Sequence, residues 1–325
     1  MLPLYMVGEV DWLTTQALYH ALPTMHEEGI VLCWPRDPYV SIGCHQDWQE
    51  FDARAGLPVV RRHVGGTLVY LDQHQIFFQV IVNASHHVAK KSPQQWYQYA
   101  LAPVVSYLQT MGFAAMFKSP ADILINNRKI SGNAGGQIED SVVIVGNILL
   151  RFDPEMMVKV RAGSSIFKHS FADALARHLT TLEELSGREW QPETVMRDLA
   201  TSFHRHWDTV LREVPWDRWN PVVAQVGRSL LQPRWLYAPG MRPRYHQIKV
   251  REGVYLRQPR EDAWFPDIVA EVDTERQLCL QIWNLPFEVP LPLPYAQIGD
   301  YIGDPHLQEV LLSLMDRSTS SSLLP

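Results

Sequence analysis

The chain has 325 residues, 46% of them hydrophobic and 20% charged, with a net charge of −6 and a pI of about 6.1. These values exclude a disordered or collagen-like chain, leave no basic footprint for general nucleic-acid binding, and suggest roughly two domains at ~150 residues each. No apolar run reaches the ~20 residues that span a bilayer, MLPLYMVGEVDW has neither the basic nor the long apolar region of a secretory signal, and Cys33, Cys44 and Cys279 lack CxxC spacing and fit a reducing cytoplasm without structural zinc.

Leu13, Ala17, Leu18 and Ala21 predict an amphipathic helix over 11–27. Extended runs follow at 30–34 and 39–43, parted by a turn at Pro35, Asp37 and Pro38. Strands are expected at 57–62, 67–71 and 75–83, with a break at Gly65 and Gly66. Ser92 as N-cap and Pro93 at the first helical position open a helix over 92–111. Asn126 and Asn127 tolerate left-handed backbone, so 122–125 and 129–130 read as a hairpin. The apolar run 142–152 predicts a strand buried on both faces. Helices are expected at 156–160, 171–178 and 192–210, with a short turn or helix at 182–185, which completes a first domain over 1–214. Prolines and tryptophans crowd 215–243, which reads as a linker or irregular loop. Strands at 245–258, 268–272 and 278–283 and a helix at 307–314 make a small α+β unit over 244–317, followed by a flexible tail, 318–325. Without a βαβαβ rhythm the class is α+β, with a mixed or antiparallel sheet and flanking helices.

Two segments carry chemistry. The first runs Arg61-Arg62-His63-Val64-Gly65-Gly66-Thr67-Leu68-Val69-Tyr70-Leu71-Asp72. Glycines let backbone N–H groups approach an anion, and arginines offer planar donors to phosphate or carboxylate oxygens. The same residues also suit a tight turn with surface arginines. The second runs from Ala121 and Asp122 to Lys129-Ile130-Ser131-Gly132-Asn133-Ala134. A lysine beside small residues can set its charge against a phosphate or carbonyl oxygen, or it can be a solvated residue on a hairpin. His86–His87 and His204/His206 have no matching ligand cluster, so no metal site is expected. Trp207, Trp216, Trp219 and Trp235 are expected to pack between the domains.

Together the two segments resemble the lipoate–protein ligase and octanoyltransferase family, within the biotin/lipoyl protein ligase fold. The family pattern is roughly R-R-x-S-G-G-G-x-V-x-H-D, then N-D-[ILV]-x-[ILV]-x-x-[RK]-K-[IV]-S-G-x-A. Ser41-Ile42-Gly43-Cys44-His45-Gln46 is similar to the family's I-G-x-x-Q strand end, Glu50 falls where a glutamate is common, and Val145-Gly146-Asn147-Ile148-Leu149 is similar to its H-G-[ST]-[IL]-L strand. The likeness covers about residues 1–210; the remainder is similar only in outline to an accessory domain of some ligases.

The resemblance implies an ATP-dependent enzyme that converts lipoate or octanoate into an acyl-adenylate. It would then pass the acyl group to a lysine of a lipoyl-domain or H-type carrier protein, in the cytoplasm and with Mg²⁺ accompanying ATP. Lys129 matches the family's essential lysine. Arg61, Arg62, Gly65, Gly66, Thr67, Val69, Tyr70, Asp122, Ser131, Gly132 and Ala134 fall at ATP- or acyl-binding positions. The sequence departs from the pattern at Val64, Thr67, Leu71, Ala121 and Val145, each of which replaces a serine, glycine, histidine or asparagine. Transferases of the family hold the acyl group on a cysteine, and neither 114–120 nor 141–145 contains one. That favours the ligase. A transferase using Cys44 and a non-catalytic lipoyl-binding protein remain as alternatives.

Overall fold

The computed structural model describes residues 1–241, 245–260 and 263–316. Its centre is a six-stranded mixed sheet in the order Asn133–Ile138, Ser141–Leu149, Gln75–Asn83, Gly29–Pro35, Leu2–Val10, Thr209–Arg212. The first four strands run antiparallel to their neighbours, and the last two pairings are parallel. Gln75–Asn83 and Gly29–Pro35 are buried almost throughout, since helices cover both faces. The helix Trp12–Thr24 lies on one face, and Pro93–Thr110 and Pro192–His206 lie on the other. Ser92 caps its helix as expected, and it does so through a reciprocal capping box with Gln95.

Several expectations are corrected. The 215–243 segment is not a loop: Trp216–Leu230 is a helix packed beside Trp12–Thr24. Trp219, Val223 and Leu230 point into that core at helical spacing, and their burial outweighs the one interior hydrogen bond, to the Asp217 carbonyl, that Pro221 cannot make. The 192–210 helix ends at His206, and Thr209–Arg212 turns into an edge strand. Leu2–Val10 and the glycine-rich Asn133–Ile138 are strands with no clear period-2 pattern, because sheet neighbours rather than local propensity order them. The 245–258 run is two strands, His246–Arg251 and Val254–Gln258, turned at Gly253 with φ 80°. Trp207 stacks on Tyr99 and Trp216 lies against Trp219, within the cores of the first part of the chain and not between domains. The expected flexible tail, 318–325, lies outside the described residues.

Two three-stranded sheets flank the central one. Val59–Arg61, Tyr39–Ile42 and Val69–Leu71 form the first. Ala115–Lys118, Asp122–Ile125 and Arg128–Ser131 form the second, and its hairpin turns at Asn126 and Asn127 with positive φ. The C-terminal part is a five-stranded antiparallel sheet, His246–Arg251 through Leu293–Pro294. One of its faces buries the helix Pro305–Met315. The other presses Ile248, Val250, Leu256 and Val269 against Phe167, Phe171 and Leu175 of the helix Ser165–His178. At ~25 cal/mol per Å² of apolar surface, such a continuous core holds the two parts in one arrangement. Ion pairs reinforce it: Arg177 and His178 meet Glu271 at 2.5 and 2.7 Å, and Lys118 meets Glu275 at 2.5 Å.

Candidate active site

The strand Arg128–Ser131 presents Lys129 at the mouth of a cavity. Lys129 carbonyl accepts the Thr180 N–H at 3.0 Å, which fixes the strand from outside. Its ammonium lies 2.9 Å from Asp122 Oδ1 on the paired strand. Asp122 is almost fully buried, and its other oxygen accepts the Glu252 N–H at 2.7 Å. The turn of the C-terminal hairpin thus holds the carboxylate that holds the lysine. Glu252 also pairs with Lys249 at 2.5 Å. Burial pulls the Lys249 ammonium down, but Glu252 and Asp122 outweigh that effect and hold it above the ordinary lysine value. Two ammonium and two carboxylate groups therefore sit at one spot.

The cavity, about 120 Å³, runs inward from Lys129, Gly132, Asn147 and Lys249 past Val69, Leu71, Ala134 and Val145. It ends among Gln16, Tyr19, Ser41, Phe77 and Gln79 below the first helix. A second chamber, about 90 Å³, shares Thr67, Val69, Leu71, Lys129, Gly132, Asn147 and Lys249 with it. It opens the other way, between Phe152, Met157, Phe171, Leu175 and Leu179 of the first part and Ile248 and Val250 of the C-terminal sheet. The lysines stand where the two chambers meet.

Arginine placement differs from the expectation of free anion donors. Arg62 lines the cavity, yet its guanidinium donates to the Gly65 carbonyl twice (2.7 and 3.1 Å), to the Ser41 carbonyl (2.9 Å) and hydroxyl (3.2 Å), and to the Thr67 carbonyl (2.9 Å). Arg61 is outside the cavity lining, and it donates to the carbonyls of Gln46, Ala238 and Leu236 at 2.5, 3.0 and 3.1 Å. Arg61 ties the turn at 43–46 to residues 236 and 238, and Arg62 braces the glycine loop at 65–67 against Ser41. The loop is tight enough that a Cβ on Gly43 would lie 1.9 Å from the Gly66 carbonyl oxygen, and Gly66 itself has φ 89°. Arg62 makes no ion pair with a carboxylate among the described residues, so its buried charge adds positive potential to the cavity wall.

Other expected site residues sort by depth. Gly66, Thr67, Val69, Gly132 and Ala134 line the first cavity, and Tyr70 lines the second. Gly65 contributes its carbonyl to Arg62. Ser131 is fully buried and donates to Asn133 Oδ1 at 3.2 Å. Cys44 is not in the lining of either cavity, and burial pushes its thiol up, away from the nucleophilic thiolate. Cys33 and Cys279 are buried in cores. Among the described residues no cluster of three or more His, Cys, Asp or Glu side chains could hold a metal ion. No helix among them is long and apolar enough to cross a membrane.

Sequence reasoning missed Lys249, Asn147, Gln16 and Gln79. Asn147 accepts the Gly132 N–H at 2.9 Å and donates to Gln75 at 2.6 Å, fixing the backbone beside Lys129. The alternation Gln247-Ile248-Lys249-Val250-Arg251 does signal that Lys249 faces away from Ile248 and Val250. Nothing local says that this face meets Lys129, 120 residues earlier in the chain (249 − 129 = 120).

A model of the lipoyl protein ligase A/B catalytic domain matches residues 8–204. The chain belongs to this family. It is 27% identical over 195 residues to the octanoyltransferase LipM of Kyrpidia tusciae, covering 51% of this chain and 70% of that protein. It is 25% identical over 169 residues to lipoate–protein ligase 1 of Staphylococcus aureus, covering 49% of this chain and 48% of that protein, so the match spans about half of that ligase. The family thus includes both ligases and transferases among the relatives. The fold is similar to that of a structure from work on a bipartite lipoate protein ligase and its E2 lipoyl domain from Thermoplasma acidophilum: TM-score 0.65, 18% identity, 74% of this chain and 99% of that one. It is also that of LipL1 of P. falciparum in complex with lipoate (TM-score 0.59, 17% identity, 81% and 82% covered) and of a lipoate–protein ligase A bound with ATP (0.59, 17%, 73% and 98%).

Proposed function

We propose that this family member is an ATP-dependent lipoate–protein ligase that activates a medium-chain carboxylic acid as its adenylate. One observation carries the reading: two chambers meet at Lys129. A ligase must hold an acid and a nucleotide at once with their reacting atoms in contact, whereas a transferase holds one acyl chain against a thiol. The acid occupies the cavity under the first helix, with its carboxylate toward Lys129. The nucleotide takes the second chamber, its base among the apolar side chains of Met157, Phe171 and Ile248. The acid oxygen attacks the α-phosphate, forming the mixed anhydride and releasing pyrophosphate. Lys129 neutralises charge that builds on the α-phosphate and, in the second step, on the acyl carbonyl. The second step delivers the acyl group to the amine of a lipoyl-domain or H-type carrier lysine and releases AMP. Asp122 orients Lys129, and Lys249 adds a second ammonium from the C-terminal sheet. Mg²⁺ would accompany the nucleotide and offset the charge of its phosphates; among the described residues no cluster of three or more His, Cys, Asp or Glu side chains would hold it. The raised thiol of Cys44, outside both cavities, argues against a thioester route.

The test is pyrophosphate release by the whole chain with ATP, Mg²⁺ and lipoate or octanoate, beside Lys129→Ala. Acid-dependent release that disappears in the variant supports the ligase. Acyl transfer from a carrier thioester without any ATP requirement would replace it with the transferase.

A further inference from the structure

A mixed anhydride formed where the two cavities meet has two amines of the chain itself beside it. Lys129 and Lys249 line both cavities, and their side chains keep 17% and 24% of their surface exposed. The carboxylates that hold them lie behind: the Asp122 side chain is 1% exposed and that of Glu252 5%. The amines face the ligand space and the acids face the protein. An amine attacks an acyl carbonyl only after losing its proton. A neutral lysine at this junction would take the acyl group before any acceptor arrived.

Glu252 stands against that outcome from the turn between His246–Arg251 and Val254–Gln258. Its Oε1 accepts from Lys249 Nζ at 2.5 Å, and its backbone N–H donates to Asp122 at 2.7 Å. One residue therefore anchors both ion pairs. Burial acts to strip the proton from Lys249, and Glu252, then Asp122, reverse the effect. The other neighbours leave this balance unchanged. Burial keeps the Tyr97 and Tyr255 hydroxyls protonated and uncharged. Across a small side pocket that Lys249 borders with His45, Glu50 is matched by Arg161 at 2.5 Å. Two carboxylates thus face two ammonium groups. With glutamine at 252, one carboxylate would serve both, and like charges in a buried site favour loss of one proton.

We infer that Glu252 is a positioning residue that keeps Lys249 from reacting with the acyl-adenylate, so that the acyl group survives for the acceptor lysine. This rests on the adenylate-forming reading of the site. Without the Glu252 charge, the Lys249 nitrogen attacks the acyl carbonyl. The C–N bond forms as the C–O bond to the phosphate breaks, AMP leaves with the bonding pair, and the amine proton passes to water. The test incubates the full-length wild type and Glu252→Gln with ATP, Mg²⁺ and octanoate and no acceptor, with and without hydroxylamine. Peptide mapping by mass spectrometry reads acylation of Lys249, and acyl-hydroxamate reads the adenylate. The expected result is hydroxamate from both chains and at least about tenfold more acylated Lys249 in Glu252→Gln, abolished when Lys249→Arg is added. Hydroxamate from both chains without that rise overturns the inference and leaves the ligase standing. No hydroxamate from wild type overturns the ligase reading and the inference with it. If Glu252→Gln does not fold or makes no hydroxamate, competitive acetylation of the wild type between about pH 8 and 11 decides. Labelling of Lys249 that still rises where that of the exposed Lys90 and Lys91 has levelled off supports the inference, and levelling together with them or earlier overturns it.

Discussion

The two basic segments of this chain end up doing different work. Arg61 and Arg62 lie nearest the glycines, yet their donors are spent on backbone carbonyls that shape the loop. Lys129 and Lys249 have carboxylate partners and stand where the two cavities join. A guanidinium with five fixed donors suits many-carbonyl bracing, while an ammonium is a compact charge that can exchange a carboxylate for a substrate oxygen. Rigid scaffold and adjustable charge are thus divided between the two segments.

Mutations should separate them. Lys129→Ala should reduce acid activation by about 10²–10³-fold while leaving the thermal midpoint nearly unchanged, read by pyrophosphate release and calorimetry. An equal loss of stability would put Lys129 with the scaffold. Arg62→Ala should do the reverse in kind, costing about 3 kcal/mol in denaturant unfolding, because the Ser41, Gly65 and Thr67 carbonyls lose a charged donor. Arg62→Lys should recover little of it, since an ammonium cannot reach all those acceptors at once. Lys249→Met should also destabilise, by about 3 kcal/mol, because it strands the buried Glu252. Adding Glu252→Gln should restore most of the stability but not ATP affinity, and full recovery of both would remove Lys249 from the site.

The scaffold side has a pH signature. His20 is buried beside the glycine loop; its Nδ1–H donates to the Gln16 carbonyl at 2.7 Å, and its Nε2 accepts the His63 N–H at 3.0 Å. Burial, with His63 and Arg62 nearby, pulls its pKa from 6.5 down to about 3. The folded chain keeps His20 neutral where the unfolded chain protonates it. Stability contributed by this residue is therefore complete above pH 6.5 and falls by about 1.4 kcal/mol per pH unit below it, until about pH 3. Unfolding titrations of wild type and His20→Gln between pH 7 and 4 should show that slope only in wild type.

What could be read in the sequence follows the same division. Asp122, Lys129 and Gly132 lie within one hairpin and its exit, so their proximity is local and their spacing announces it. The helix opened by Ser92 and Pro93 and the strand Gln75–Asn83 were legible because caps and apolar runs are local too. Lys249 was not, since its place depends on Ile248 and Val250 packing against the helix Ser165–His178. The arginines misled for another reason. Their residue types suit phosphate and carbonyl oxygens equally, and only the folded loop shows which oxygens they meet. The helix Trp216–Leu230 was hidden by Pro221 and its tryptophans, although Trp219, Val223 and Leu230 mark its buried stripe.

The smallest effect is expected at Cys44, where Cys44→Ser should leave activity within about twofold, as a packed thiol would. That variant also gives the most direct test of Lys129-centred, nucleotide-driven chemistry. Cys44→Ser would be incubated with ATP, Mg²⁺, acid and hydroxylamine, and acyl-hydroxamate and AMP measured by mass spectrometry. The account predicts both products in equal amounts, at the wild-type rate, and none in Lys129→Ala. Loss of product in Cys44→Ser, with an acyl group found on Cys44 of the wild-type chain, would contradict it.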